Sequence, residues 1–323
     1  MARTVRIATT SLATLEDTAP PYNLRHPDPA DTLALGLSLL DAAGSQGADL
    51  VCLPEGFIAA GMPGSRIREI AEPLTGPSMS AVAERAKRHG MYVVAGSYAR
   101  IGERVFNVAA LFDRSGRLVG TYAKRHPTEG EIDCGVVAGS DLPVFETDFG
   151  RVGLAICFDL NWRGLWDELK SKGAEFVCWI SAYEGGFPLQ AYAWLHGVTI
   201  ISSVWPYHGR IIERSGRVLT QTSRWGRVAT ADINVDKRWF HTDGQMQAIL
   251  AIQDHYGKRV RIETYGEEHI FTVESADPGL GEQEIVERFA LVDYDTYVAR
   301  CTAAQGRSVS ENARRVKAPE PVG

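Results

Sequence analysis

The sequence lacks the features that would anchor, staple or metallate it. Its 323 residues contain no run of about 18 apolar side chains, the length a helix needs to cross a bilayer. The opening Met1-Ala2-Arg3-Thr4-Val5-Arg6-Ile7 enters a strand pattern without an apolar leader core, so secretion by that route is not expected. Five cysteines (Cys52, Cys134, Cys157, Cys178 and Cys301) are scattered and never form Cys-x-x-Cys, which argues against a disulfide framework and a zinc site. Reduced thiols in the cytoplasm are expected. Positive charge is short: 34 Lys and Arg against 40 Asp and Glu give a formal net charge of -6, with no general attraction to nucleic acid or an anionic membrane. Gly-rich phosphate loops, His-Glu-x-x-His and dinucleotide fingerprints are missing, so neither a cofactor nor a metal is implied.

What is present is the composition of a globular protein, 45% hydrophobic and 23% charged. Strand-like and helix-like segments alternate. Val5–Thr9 reads as a buried strand. Asp28-Pro29 supplies an N-cap and first-turn proline for a helix to about Ser45, with Leu33, Leu37 and Leu40 on one face. Asp49–Leu53 is a strand, Ser78–His89 a helix and Met91–Ser97 a strand, and a hairpin turns at Asp113-Arg114-Ser115-Gly116. The same order recurs from Val152: strand to Cys157, helix near Trp162–Lys172, strand Phe176–Ile180, helix near Leu189–His196, strand Val198–Val204, and a hairpin at Arg214-Ser215-Gly216. Such an internal duplication, packed sheet on sheet with helices outside, predicts an α/β fold in four αββα layers over residues 1–235. Residues 236–323 read as an extension with a helix near Asp243–Ile252, strands within Arg259–Thr272, no clear core of its own, and a mobile or arm-like tail from Asn312.

Three short stretches offer reactive side chains near strand ends: Glu55 in Leu-Pro-Glu-Gly-Phe, Lys124 in Tyr-Ala-Lys-Arg-His-Pro-Thr-Glu-Gly-Glu, and Cys157 in Gly-Leu-Ala-Ile-Cys-Phe-Asp. Each has an ordinary reading. Cys157 taken alone is a small buried hydrophobe, and Glu55 and Lys124 are surface charges. Together they combine a general base, an oxyanion-stabilising ammonium and a nucleophile whose pKa falls beside a cation, which is what hydrolysis of an amide-like C–N bond requires. His126 invites a Cys-His reading, but its place beside Lys124 favours loop support.

These motifs, in this order, resemble those of the nitrilase superfamily, the carbon–nitrogen hydrolases, over roughly residues 5–235. The resemblance implies the αββα sandwich, a Cys157 nucleophile, Glu55 as base, Lys124 and the Phe158 backbone N–H on the oxyanion, and homodimers or larger homo-oligomers. It also implies a second glutamate holding the lysine. Glu131, in Lys-x-x-Pro-Thr-x-x-Glu spacing, is favoured over Glu129. Loop residues following the strand ends are candidates for substrate contact: Tyr183 and Glu184 first, then Asn161 and Trp162, with Arg163, Trp205 and His208 behind them. Cys157-Phe158-Asp159 is nearer to amidases and N-carbamoyl hydrolases than the Cys-Trp-Glu of nitrilases. The function implied is cofactor-independent hydrolysis of a small-molecule amide or N-carbamoyl compound. A nitrilase, or an inactive member serving as a binding module, stands as the alternative.

Overall fold

The computed structural model describes residues 3–13 and 28–317, with side chains of the last helix described to Asn312. The first half runs β1 (Thr4–Thr10), α1 (Pro29–Ser45), β2 (Leu50–Cys52), α2 (Ile67–Ile70), α3 (Pro77–His89), β3 (Tyr92–Ile101), β4 (Arg104–Phe112) and β5 (Leu118–Ala123), followed by α4 (Glu129–Asp133) and β6 (Val144–Glu146). The second repeats the plan with β7 (Arg151–Ile156), α5 (Arg163–Ser171), β8 (Phe176–Ser181), α6 (Phe187–His196), β9 (Thr199–Val204), β10 (Arg210–Ile212) and β11 (Val218–Gln221), followed by β12 (Val228–Asn234). In each half three parallel strands are joined by helical crossovers and extended by two antiparallel strands.

The sheets are ordered β12-β1-β2-β3-β4-β5 and β11-β10-β9-β8-β7-β6. Each half therefore donates its final strand to the other sheet: β6 follows β5 but pairs with β7, and β12 follows β11 but lies beside β1. β6, with three residues, is too short to show periodicity, and nothing local in β12 marks which sheet it joins, so the exchange is not visible in the sequence. The central strands are buried along their whole length, as expected for strands covered on both faces; all six residues of β8 and of β9 are buried. Where the sheets face each other, buried hydroxyls satisfy backbone carbonyls: Thr10 Oγ1 and Ser203 Oγ both donate to the Cys52 carbonyl, at 2.8 and 2.7 Å.

Helices cover the outer faces. Asp28 caps α1 by accepting from the Ala30 N–H at 2.8 Å, and Pro29 opens the helix. Its buried stripe is Thr32, Gly36, Leu39, Leu40 and Ala43, shifted by one residue position from the expected Leu33 and Leu37 while keeping Leu40. Close approach decides this. A β-carbon at Gly36 would stand 2.5 Å from the Phe57 ring, so the helix lies down on its glycine, leaving Leu33 and Leu37 as partly buried flanks.

Val5–Ile233 forms one compact unit, and the chain from Asn234 belongs to a second. The second contains β13 (Arg238–His241), α7 (Met246–Tyr256), β14 (Val260–Tyr265), β15 (Ile270–Ser275), α8 (Glu282–Arg288) and α9 (Tyr294–Lys317), with an antiparallel sheet in the order β13-β15-β14. Contrary to expectation it has its own core, built on Phe240, Ile252, Tyr256, Phe271, Val273 and Ile285. Each element contributes only one or two of these residues, so no sequence window shows a core. The expected tail from Asn312 is helical as far as Lys317; its remainder lies outside the described residues. Among the described residues, no helix is long and apolar enough to cross a membrane.

Candidate active site

The parallel strands of the first unit end at one edge of the sandwich, and the candidate residues follow them: Glu55 after β2, Cys157 after β7, Tyr183 and Glu184 after β8. Lys124 follows β5 and is fixed there by its backbone N–H, which donates to the Asn107 carbonyl of β4 at 2.8 Å. Gly96 on β3 makes room for the glutamate turn. A β-carbon there would lie 2.4 Å from the Pro54 carbonyl and 2.6 Å from the Gly56 nitrogen.

Glu55, Lys124 and Glu131 meet in a buried cluster, only 3%, 1% and 9% exposed. The Lys124 ammonium donates to Glu55 Oε1 at 2.8 Å and to Glu131 Oε2 at 2.7 Å. Glu55 Oε2 accepts from the Ala182 N–H at 2.9 Å, and its carbonyl accepts from Trp205 Nε1 at 2.7 Å. Glu131 is held by a capping box at the start of α4: its Oε2 accepts from the Thr128 N–H at 2.8 Å, while Thr128 Oγ1 accepts from the Glu131 N–H at 3.2 Å. Glu129 is exposed and does not join the cluster. The Thr-x-x-Glu pattern thus has a local physical role besides its spacing from Lys124.

Cys157 is 8% exposed. It lies one residue beyond the end of β7, not on the strand as expected, with φ +49°. This left-handed conformation turns the chain at once into the short helical turn Cys157–Asn161. Two side chains pin the bend by donating to the Cys157 carbonyl, Trp179 Nε1 at 3.0 Å and Tyr183 Oη at 3.3 Å. Asp159 closes it from inside. One carboxylate oxygen accepts from the Ile156 N–H at 2.9 Å and Tyr122 Oη at 2.7 Å; the other pairs with the His126 ring at 2.7 Å and accepts the His126 N–H at 3.1 Å. His126 also stacks on Trp162, 4.1 Å between centroids, and so braces the loop.

The expected low thiol pKa is not what the surroundings produce. Burial and then the Glu55 carboxylate push the Cys157 thiol well up, and the opposing pull of Lys124 and the Ser181 hydroxyl does not compensate. The Cys157 thiol is thus held in its protonated form next to Glu55. For Lys124, burial opposes the charge, but Glu55, Cys157 and Glu131 hold the ammonium well above its ordinary range. Burial would raise Glu131 too, yet Lys124 and the hydrogen bonds from Lys124, Thr128 and Asn107 keep it below the usual carboxylate range.

Among the proposed substrate contacts, Tyr183 reaches the Cys157 backbone. Glu184 instead accepts from the backbone N–H groups of Tyr207 and His208, at 3.3 and 3.2 Å, and pairs with the His208 ring at 2.8 Å. Asn161 is exposed and donates to the Phe158 carbonyl at 3.1 Å, while the Phe158 and Trp162 rings meet edge to face at 5.1 Å. Arg163 is exposed and approaches Asp167. Two residues were missed. Asn107 donates to both Glu55 and Glu131 at 2.7 Å, and Tyr98, against Gly56, lies within electrostatic reach of Glu55, Glu131, Lys124 and Cys157. A lone amide in the apolar run Val105-Phe106-Asn107-Val108 was the available signal for the first. Among the described residues, no group of His, Cys, Asp and Glu is arranged to hold a metal.

The family model for carbon-nitrogen hydrolases matches residues 18–238. An omega-amidase from Danio rerio is 31% identical over 167 residues, covering 49% of this chain and 58% of that protein. A bifunctional nitrilase/nitrile hydratase from Lupinus angustifolius is also 31% identical, over 170 residues, covering 47% of this chain and 49% of that protein. The matched stretch thus spans about half the length of these curated relatives. Among solved structures, an amidase from Nesterenkonia sp. superposes with a TM-score of 0.63 at 20% identity, covering 72% of this chain and 91% of that one.

Proposed function

We infer, since the chain belongs to the carbon–nitrogen hydrolase family, that it is a cofactor-independent hydrolase of a small amide or N-carbamoyl compound. The observation that carries this reading is the buried Glu55–Lys124–Glu131 cluster beside a thiol held on a left-handed bend. In the first step Cys157 Sγ bonds to the carbonyl carbon while its proton passes to Glu55 and the carbonyl π pair moves onto oxygen. The Lys124 ammonium and the Phe158 backbone N–H receive that oxyanion. As the C–N bond breaks, Glu55 returns the proton to the departing nitrogen. It then takes a proton from the water that opens the thioester; the C–S bond breaks, a carboxylic acid leaves, and Glu55 returns that proton to Cys157 Sγ. Tyr183 supports the substrate beside the bend, with Glu184, Asn161 and Trp162 in the surrounding loops.

A nitrilase is the second reading, since a nitrile-converting relative matches this chain as well as an amidase does. The two separate on a matched pair, one nitrile and its amide, at equal concentration with the acid product quantified. We expect the amide to be converted with the higher kcat/KM, by at least about tenfold, a difference of 1.4 kcal/mol in barrier. A nitrile converted faster would displace the amidase reading. An inert chain with both substrate classes would favour the binding module.

The reading includes self-association in a reducing, cytoplasmic setting. Large apolar side chains exposed on α6, Phe187 at 76% and Leu195 at 61%, support a contact between copies, and all five cysteines are free. Light scattering should give at least twice the 35.4 kDa chain mass, and a monomer at micromolar concentration would refute assembly.

A further inference from the structure

Asn107 lies on β4, fully buried, and its amide nitrogen donates to Oε1 of Glu55 and to Oε1 of Glu131, each at 2.7 Å. Lys124 bridges the same two carboxylates from the other side, at 2.8 and 2.7 Å. Four groups therefore form a closed ring in which each acid meets both donors. The Asn107 carbonyl oxygen of the side chain has no partner, although it is buried. An orphaned buried acceptor is destabilising, and a flip of the amide would turn it towards two carboxylates, which is worse. The donor orientation is thus fixed by the acids.

The two oxygens of Glu55 consequently differ. Oε1 receives Lys124 and Asn107, which fills its acceptor capacity, whereas Oε2 receives the Ala182 N–H at 2.9 Å and keeps an acceptor site for the Cys157 thiol, which hydrogen-bonds to this carboxylate. A proton arriving at Oε1 would face two donors. We propose that Asn107 is a positioning residue that, by occupying Oε1 of Glu55, confines proton transfer from Cys157 to Oε2. In that transfer the S–H bond breaks and an O–H bond forms at Oε2, and the thiolate electron pair becomes the S–C bond to substrate. The inference rests on the hydrolase reading. Its charged surroundings are complete on three sides: Lys124 from the end of β5, Glu131 from α4, and the Tyr98 phenol from β3, whose own ionisation is suppressed by burial and by the two acids. Asn107 is also among the groups that hold Glu131 ionised.

The test compares wild type with Asn107→Leu, similar in size without donors, and with Asn107→Ser, a smaller side chain with one donor should the leucine variant not fold. Two pH profiles are read on the full chain: kcat/KM for the amide, and the rate of Cys157 alkylation by iodoacetamide, which needs no turnover. Loss of a donor to an ionised acid favours the protonated form, so the acidic limb of both profiles should move up by about one pH unit. Turnover should fall about 10- to 100-fold while KM changes less than about threefold. Superimposable profiles in a variant that is merely less heat-stable would make Asn107 structural and overturn the proposal. If wild type hydrolyses no amide yet the alkylation limb moves in the variants, the hydrolase reading fails and the role of Asn107 stands.

Discussion

Replacing Cys157 with alanine is expected to lower kcat/KM by at least about 10³-fold, because no other nucleophile shares the bend and members of a catalytic unit do not substitute for one another. The other four cysteines do not replace it: Cys52 and Cys178 are fully buried strand residues, Cys134 follows α4, and Cys301 lies in the second unit. Alanine keeps the backbone contacts to the Cys157 carbonyl from Trp179 and Tyr183, so the fold should persist with an unchanged thermal midpoint. Initial rates with the amide, alongside circular dichroism, check both parts. Residual activity above about one per cent would rule out a covalent route through this sulfur.

Lys124→Ala should damage activity and stability together. Among the described residues, the ammonium is the positively charged partner that Glu55 and Glu131 share. Removing one member of a buried ion pair costs about 3–5 kcal/mol, and removing one oxyanion donor lowers turnover about 10²- to 10³-fold. The sign of the pH dependence should reverse as well. In wild type Glu131 titrates below its unfolded value, so its contribution is present above the ordinary carboxylate range and is lost as pH falls through the lower, folded value. Without Lys124 the facing acids share a proton, and the variant should lose stability as pH rises. Urea midpoints at about pH 5 and about pH 8 are the measurement. An unfolding free energy within about 1 kcal/mol of wild type at both would show that the acids are solvated rather than paired.

The elements that carry chemistry were readable in the sequence because their signals are local. Leu53-Pro54-Glu55 marks a strand end, Asp28-Pro29 a helix start, and the Lys-x-x-Pro-Thr-x-x-Glu spacing singles out Glu131. What was not readable depends on distance in three dimensions. Asn107 was hidden because its importance comes from two acids, 52 and 24 residues away, that meet at one amide. The direction of the Cys157 shift was misjudged for the same reason: a cation within reach suggested a low pKa, but burial and then the Glu55 carboxylate outweigh it. The strand exchange between the two sheets, through β6 of three residues and β12, and the dispersed core around Phe240 and Phe271 leave no periodic trace.

The left-handed backbone at Cys157 sets activity against stability. A non-glycine residue in that conformation carries a steric penalty of about 1–2 kcal/mol that glycine would not. The same bend turns the thiol off the strand, so the penalty and the nucleophile cannot be separated by a neighbouring substitution. For a copy of this chain released from selection for hydrolysis, mutation of Cys157 to glycine relieves that strain. Loss of the proposed activity by that substitution would therefore add no backbone strain at the bend, and such a copy would persist as a folded, silent protein.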